Sequence, residues 1–188
     1  MTRHPIIFSG PMVRAIRDLR KSMTRRVVKD INPTLLAANP TAEHLANAMT
    51  CPYGGVGHQL WVKETYWTYP GIITDKLVRE GADTWPRWKD GGLHYDADGD
   101  TDVYRDLGWK RKPSIFMPRH FSRLTLESTS LRIERLQEIT EANAIAEGFT
   151  GVAAFRAYWN EINGTIHPWS ANDWVWAITF ERVKETEA

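Results

Sequence analysis

Apolar residues recur along this chain with two different periods, and the switches between them mark out the elements. Pro5-Ile6-Ile7-Phe8-Ser9 is a short, continuous apolar run and reads as a buried strand. Gly10-Pro11 then opens a helix, since proline suits a first helical turn. Met12, Val13, Ile16 and Leu19 fall on one helical face, with Arg14, Arg17 and Arg20 off it. Thr24 to Lys29 is β-prone, with Val27 and Val28 adjacent. Residues 30–50 read as a loop with a weak Ala-rich helix. After a turn cluster at Pro52–Gly57, the stretch Gln59 to Tyr66 alternates. Leu60, Val62 and Glu64 take one side, and Trp61, Lys63 and Thr65 the other.

Residues 67–113 carry many Gly, Asp, Trp and Pro and hold no period, so they read as an insertion with a hairpin near Tyr95 to Tyr104. Ser114 to His120 leads into two expected strands, Arg123–Thr129 and Leu131–Leu136. Thr140 is placed to cap a helix running to Glu147, and Gly148 is a natural C-terminal stop. A second helix is expected from Val152, with Val152, Phe155, Trp159 and Ile162 on one face. Trp174 to Val183 alternates again, with Trp174, Trp176, Ile178 and Phe180 facing one way. Strands dominate both ends and the helices lie between them. That order predicts an α+β fold, a small barrel or curved sheet with packed helices, in one domain over residues 1–188 with the insertion at about 67–113.

Composition changes this picture in three places. Hydrophobic residues at 42% and charged residues at 25% describe an ordinary globular chain, not a disordered one. Lys plus Arg at 24 against Asp plus Glu at 23 excludes a protein that coats nucleic acid by charge alone. The near-balance hides an asymmetry. Residues 1–29 hold eight cations against Asp18 alone, a net of +7, so with +1 overall the rest carries −6. A basic edge suits an anionic partner such as a nucleotide or RNA; a solvated helix face explains it equally well. The nine tryptophans call for a large core, a flat ring-binding pocket, or both. The lone Cys51 excludes an internal disulfide and points to a reducing, cytoplasmic setting. No apolar run approaches about 18 residues, so no membrane span is expected, and the N-terminal residues lack a signal peptide's apolar stretch.

Most catalytic chemistries find no support in the spacing. The six histidines show neither His-x-His nor i,i+4 spacing, so no metal or other cofactor is expected. Asp96-Ala97-Asp98-Gly99-Asp100 has its glycine two positions early for a calcium loop and reads as a plain Asp-Gly turn. There is no Gly-x-Ser-x-Gly elbow, and Gly54-Gly55-Val56-Gly57 lacks the lysine of a phosphate loop. Cys51, beside Pro52 in a loop, reads as incidental. What remains is Arg20-Lys21-Ser22-Met23-Thr24-Arg25-Arg26, at the junction of a helix and a strand. A threonine hydroxyl becomes a nucleophile only when a base takes its proton. A lysine can be that base only when desolvation or nearby cations lower its pKa, and Arg20, Arg25 and Arg26 supply cations. The plain alternative is a basic helix end whose lysine favours the C-terminal dipole, followed by a strand-starting threonine.

At this segment the chain resembles the ASCH superfamily, a PUA-like β-barrel group whose signature is Gly-x-Lys-x-x-Glu-x-Arg. The lysine falls on Lys21 and the arginine on Arg26; Leu19 stands at the glycine and Thr24 at the glutamate. The threonine resembles the branch of small bacterial N4-acetylcytidine amidohydrolases, which carries Lys-x-x-Thr-x-Arg here and a Thr-Glu-x-x-Ala-x-x-Glu helix later. Thr140-Glu141-Ala142-Asn143-Ala144-Ile145-Ala146-Glu147 is similar to that helix. Leu60-Trp61-Val62-Lys63-Glu64-Thr65 and Trp174-Val175-Trp176 are similar to runs in longer phage and prophage ASCH proteins. The likeness leaves out the insertion. It implies a PUA-like barrel and a metal-independent amidohydrolase acting on N4-acylated cytosine nucleosides, with Lys21, Thr24 and Glu147 catalytic.

On that reading Lys21 takes the nucleophile's proton, Glu147 orients Lys21 and returns a proton to the leaving amine, and Arg26 with backbone N–H groups near Ser22 to Thr24 steadies the oxyanion. Trp61, Tyr66 and Trp67, and Phe116 and His120 on either side of Arg119, are candidates to stack on the pyrimidine, and Arg119 is counted with the substrate-binding residues. Glu64, a carboxylate on an apolar strand phase, is expected either to pair with an arginine such as Arg26 or to face the cavity; the cavity is the preferred reading. Trp159, Trp174 and Trp176 are expected in the core. A non-catalytic RNA-binding module, or a ribonuclease, are the competing readings of the same family likeness.

Overall fold

The computed structural model describes residues 2–29, 50–68, 93–99, 104–105 and 109–183. The helix read within residues 30–50 and much of the insertion lie outside them. In chain order the elements are β1 (Arg3–Ile7), α1 (Gly10–Arg17), β2 (Met23–Val27), β3 (Gln59–Lys63) and β4 (Tyr66–Thr68). There follow β5 (Leu93–Tyr95), β6 (Lys110–Lys112), β7 (Thr125–Arg135), α2 (Glu141–Ala146), α3 (Val152–Asn163) and β8 (Trp174–Arg182). Two sheets with a few helices make the fold α+β, as the element order predicts; the pairs β2–β8, β8–β7, β7–β3, β4–β5 and β4–β6 are antiparallel, while β1 runs parallel to β3. Contacts divide the chain into two units: Met1–Pro5 with Ala15–Trp61 and Leu124–Ala188, and Ile6–Arg14 with Val62–Arg123.

The first unit is organised by a five-stranded sheet in the order β1-β3-β7-β8-β2. β8 lies between β7 and β2, antiparallel to both. Its alternation is more heavily covered than the pattern suggests. Val175 and Ala177 are fully buried along with Trp174, Trp176 and Ile178. The reason is a cluster of Leu136, Ile139, Ala144, Phe155, Trp159 and Val175, which places helical side chains over the second face of β8. Truncating Phe155 or Trp159 to alanine would cost about 3–5 kcal/mol.

Four expectations are corrected here. β7 is one strand, not two: the polar run Ser128-Thr129-Ser130 is absorbed as a register shift against β8 rather than a break. Ile162 is 57% exposed: it keeps the phase of Phe155 and Trp159 but lies in the last turn of α3, beyond the residues that the core cluster takes in. Leu19 is 79% exposed, because α1 ends at Arg17 and Leu19 lies beyond it with φ at 58°. The hairpin near Tyr95 to Tyr104 gives way to a different pairing. Tyr95 closes β5, residues 96–98 form a 3-10 turn, and β5 and β6 each pair with β4.

In the second unit that three-stranded sheet, β5-β4-β6, carries a small core of Tyr66, Met117 and Phe121 against Leu93 and Tyr95. Trp67 is buried, and its indole N–H donates to Asp96 at 2.5 Å. Arg123 donates from Nε and Nη2 to the two oxygens of Glu64 at 2.8 and 2.9 Å, and from Nη1 to Asp98. Its guanidinium sits 3.8 Å from the ring centre of Tyr95. Burial pushes the Tyr95 phenol up to about 12, against the opposing pull of Arg123.

Candidate functional site

The segment carrying Lys21 is built by a turn that ends α1. Leu19 adopts a left-handed backbone, and the N–H groups of Arg20 and Lys21 both donate to the Ala15 carbonyl at 2.8 and 3.0 Å. This is a helix C-terminus of the kind that ordinarily carries glycine at the left-handed position. This chain holds a leucine there instead. The turn delivers the chain to the end of α2, where the Ser22 N–H donates to the Ala146 carbonyl at 2.8 Å. The Ser22 carbonyl in turn accepts from the Phe180 N–H at 2.8 Å. The Ser22 N–H is therefore committed, which removes it from the candidates for an oxyanion donor.

The acid arrives from α2. Thr140 caps that helix, its hydroxyl accepting from the Asn143 N–H at 3.2 Å, as the sequence predicts. Glu147 is the C-cap, and Gly148 follows with φ at 92°. A side chain at Gly148 would be strained by that backbone, and its Cβ would lie 3.4 Å from the Lys21 Cβ. Glycine here both ends the helix and lets Lys21 approach Glu147.

Lys21 Nζ donates to Glu147 Oε2 at 2.6 Å and to the Glu147 carbonyl at 2.9 Å. The two side chains are 2% and 4% exposed. Arg25 completes the group: its Nη1 donates to Glu147 Oε1 at 3.2 Å, while Nε and Nη2 donate to Glu134 Oε1 at 2.9 and 2.5 Å. Two buried cations, Lys21 and Arg25, thus share the buried Glu147 carboxylate, with Glu134 beyond Arg25 and the half-buried Arg26 near enough to weigh on Lys21. Desolvation lowers the Lys21 pKa; Glu147 opposes this, and Arg26 and Arg25 reinforce it. Burial lowers Arg26 as well, with Tyr53, Glu147 and Tyr158 opposing. An arginine nonetheless keeps its charge.

Thr24 is buried in β2, three residues from Lys21. It alternates with Arg25, so Thr24 and Arg26 take the strand positions opposite Ile178 and Trp176, and Arg25 the position opposite Ala177. The structure therefore joins Lys21, Glu147 and Arg25 by hydrogen bonds, with Thr24 and Arg26 at the alternate positions of the same strand. Trp61 belongs to this unit and is half-buried in β3. Glu64, Tyr66, Phe116 and Arg119 belong to the other unit. There Glu64 is buried and paired, with Arg123 rather than Arg26. Tyr66 is buried, packs edge-on against Phe121 and donates its hydroxyl to the Phe116 carbonyl at 3.3 Å. Phe116 and Arg119 are exposed.

Sequence reasoning missed Glu134, and it valued Arg25 only as a nearby cation. A faint signal existed: Arg25 and Glu134 lie in β-prone stretches at both ends of the chain, but nothing local says that one reaches the other. It also missed Tyr53 and Tyr158, close enough to Arg26 to act on its charge. The basic run at residues 1–29 does not form one surface. Lys21 and Arg25 are buried, Arg26 is half-buried, and Arg20 is paired with Asp18 at 2.8 Å. Cys51 is buried and its thiol pKa is raised by that burial, the opposite of a reactive thiolate. Among the described residues no group of three or more His, Cys, Asp or Glu converges. Among them, no helix is long and apolar enough to cross a membrane.

No protein-family model matches the chain, and no curated protein matches it. Among solved structures it is similar to an ASCH domain from Lactobacillus crispatus JV V101, at 12% identity and a TM-score of 0.44, over 96% of this chain and 79% of that one. It is also similar to a DUF984 protein from Enterococcus faecalis V583, at 10% identity and a TM-score of 0.46, over 100% of this chain and 85% of that one.

Proposed function

We propose that this chain is a metal-independent amidohydrolase that removes N4-acyl groups from cytosine nucleosides. The observation that carries the reading is the buried Lys21–Glu147 contact at 2.6 Å, with Arg25 on the same carboxylate and Thr24 buried three residues along the chain from Lys21. A lysine that is desolvated and surrounded by arginines holds its proton less tightly than in water, which is what a general base needs. In the proposed reaction the nucleophile, the Thr24 hydroxyl or a water beside it, adds to the acyl carbon as its proton passes to Lys21. Arg26 balances the oxyanion that forms. The C–N4 bond then breaks, and the cytosine nitrogen takes a proton handed on by Lys21 and Glu147. Where a water is the nucleophile the carboxylic acid leaves directly; where Thr24 is, a water activated by Lys21 then adds to the acyl-threonine ester, the ester C–O bond breaks and Thr24 regains its proton, so that either way the products are the free cytosine nucleoside and the carboxylic acid. An acylated cytosine is an activated amide, because its nitrogen lone pair is shared with the ring, so side chains alone suffice. In this reading Tyr53 and Tyr158, whose charge bears on Arg26, are candidates to take the base; stacking of this kind contributes roughly 1–3 kcal/mol per base.

Purified protein incubated with N4-acetylcytidine tests this, with cytidine and acetate followed by chromatography. Turnover is expected, falling about a thousandfold or more in Lys21→Ala and Glu147→Gln. Full activity in Lys21→Ala would sink the mechanism. No turnover of any acylated cytosine, together with polynucleotide binding that weakens steeply with salt, would favour the RNA-binding reading instead.

A further inference from the structure

We propose that Arg25 is the positioning residue of this site: anchored on Glu134, it fixes one oxygen of Glu147 and so presents the other to Lys21. The catalytic consequence rests on the hydrolase reading above; the geometry does not. The Arg25 side chain is 0% exposed, and three of its N–H groups are spent on two carboxylates. A guanidinium is a rigid planar fork. Once Nε and Nη2 are both held on Glu134 Oε1, the direction of Nη1 is set, and Nη1 is the group on Glu147 Oε1. The Glu147 carboxylate is then held from both sides, by Arg25 on Oε1 and by Lys21 on Oε2. Freed from Arg25, the carboxylate can turn about its terminal bond, so the direction in which it meets Lys21 is no longer fixed.

The sheet explains how Arg25 reaches Glu134 across an intervening strand. Arg25 on β2 and Arg132 on β7 stand opposite the same β8 residue, Ala177. Alanine leaves the space above β8 open, and Glu134 lies two residues from Arg132 on the same strand face. Phe155 of α3 lies beneath the guanidinium, 5.9 Å from ring centre to Cζ.

Arg25 also acts on the charge of Lys21. The charged and titratable groups around Lys21 are Glu147 at the end of α2 and Arg25 and Arg26 on β2. Behind Arg25 stands Glu134 of β7, with Arg132 at 3.5 Å from its other oxygen. Around Arg26 stand Tyr53 and Tyr158. Replacing Arg25 by methionine removes a cation, so Lys21 binds its proton more tightly. Replacing Glu134 by glutamine keeps the acceptor but removes an anion, so Lys21 binds its proton less tightly. The two variants must move Lys21 in opposite directions.

The test follows the Lys21 side chain by NMR in lysine-labelled protein across pH, with Lys21→Met assigning the signal. The Lys21 midpoint is expected to rise in Arg25→Met and to fall in Glu134→Gln. If both folded variants keep the wild-type midpoint, the proposal is overturned. If Arg25→Met does not fold, Glu134→Gln decides alone. In turnover of N4-acetylcytidine, Arg25→Met is expected to lower kcat about tenfold with little change in KM, and to move the rising limb of the pH profile upward; Arg25→Lys, lacking the fork, restores neither. Wild-type turnover with both variants retaining the wild-type profile would overturn the proposal and leave the hydrolase reading standing. Wild-type protein without turnover would overturn the hydrolase reading, and the NMR midpoints would still decide the role of Arg25.

Discussion

Lys21 and Glu147 lie 126 residues apart in the chain and meet at 2.6 Å with both side chains almost sealed from solvent. The contact is asymmetric in its consequences. Glu147 has a second partner, Arg25, whereas its own charge bears on Lys21, Arg25 and Arg26 together. Removing the lysine leaves a carboxylate that is still paired. Removing the carboxylate leaves a surplus of buried cations. Glu147→Leu is therefore expected to destabilise by about 3–5 kcal/mol, and Lys21→Met by clearly less. Denaturant unfolding of the two variants measures this; equal losses, or a larger loss for the lysine variant, would contradict the assignment of partners.

The same burial fixes a pH dependence. The Lys21 pKa is lowered from 10.5 in the folded chain, mainly by desolvation. Between the lowered value and 10.5 the unfolded lysine carries a proton that the folded one has given up. The unfolded state then binds more protons, so stability rises with pH across that window and levels off above it. Comparing wild type with Lys21→Met isolates this contribution, because other alkaline titrations are common to both. The stability difference, wild type minus variant, is expected to grow with pH up to the ordinary lysine range. A flat difference would show that Lys21 titrates as it does in water. In the proposed reaction the rate should climb on the same titration, since only the neutral amine accepts a proton.

Helix α2 was legible because its signals are local. A threonine cap, an acidic first turn and a glycine stop occupy fixed offsets, and each works within a few residues. The phase of Leu60, Val62 and Glu64 was legible for the same reason: alternation needs no knowledge of the partner strand. Partnership was not legible. Glu64 announces that it must be compensated, but whether by Arg26 or Arg123 depends on which loop returns beside it. Arg25 and Glu134 were invisible as a pair because an arginine in a basic run looks like any other until a small residue, Ala177, is seen to clear its path. The insertion's short strands escaped because three-residue strands such as Lys110-Arg111-Lys112 have neither period nor apolar content. β4 supplies their pairing, not their own pattern.

Leu19 offers a stability prediction that touches no contact in the core. Its left-handed backbone, φ 58°, costs a branched side chain about 1–2 kcal/mol, and its side chain is 79% exposed. Glycine there removes the strain and gives back part of the gain through a more flexible unfolded chain. Leu19→Gly is expected to stabilise by about 0.5–1 kcal/mol, while Leu19→Ala, which keeps the strain, is expected to change little. Thermal unfolding of the pair reads this out. A stabilising alanine with a neutral glycine would place the effect in the exposed side chain and not in the backbone.

Glu64 and Arg123 give the corresponding prediction for the second unit. Glu64 is 1% exposed, and both of its oxygens accept from Arg123, which is itself 24% exposed and turned toward Asp98 on its outer side. The pair is thus unequal: the carboxylate is sealed, while the guanidinium keeps access to water and to a second acid. Arg123→Met strands a buried anion and is expected to destabilise by about 3–5 kcal/mol. Glu64→Gln keeps the shape, lets Arg123 retain Asp98 and the Tyr95 ring, and is expected to cost about 1–2 kcal/mol. Acid should separate them too. The Arg123→Met protein recovers part of its deficit as pH falls, because protonating Glu64 removes the stranded charge, whereas Glu64→Gln has no such recovery. Urea unfolding at neutral and mildly acidic pH measures both effects. A deficit in Arg123→Met that does not shrink in acid would mean that the lost stability lies in the packing of the arginine on Tyr95 and not in the burial of the carboxylate.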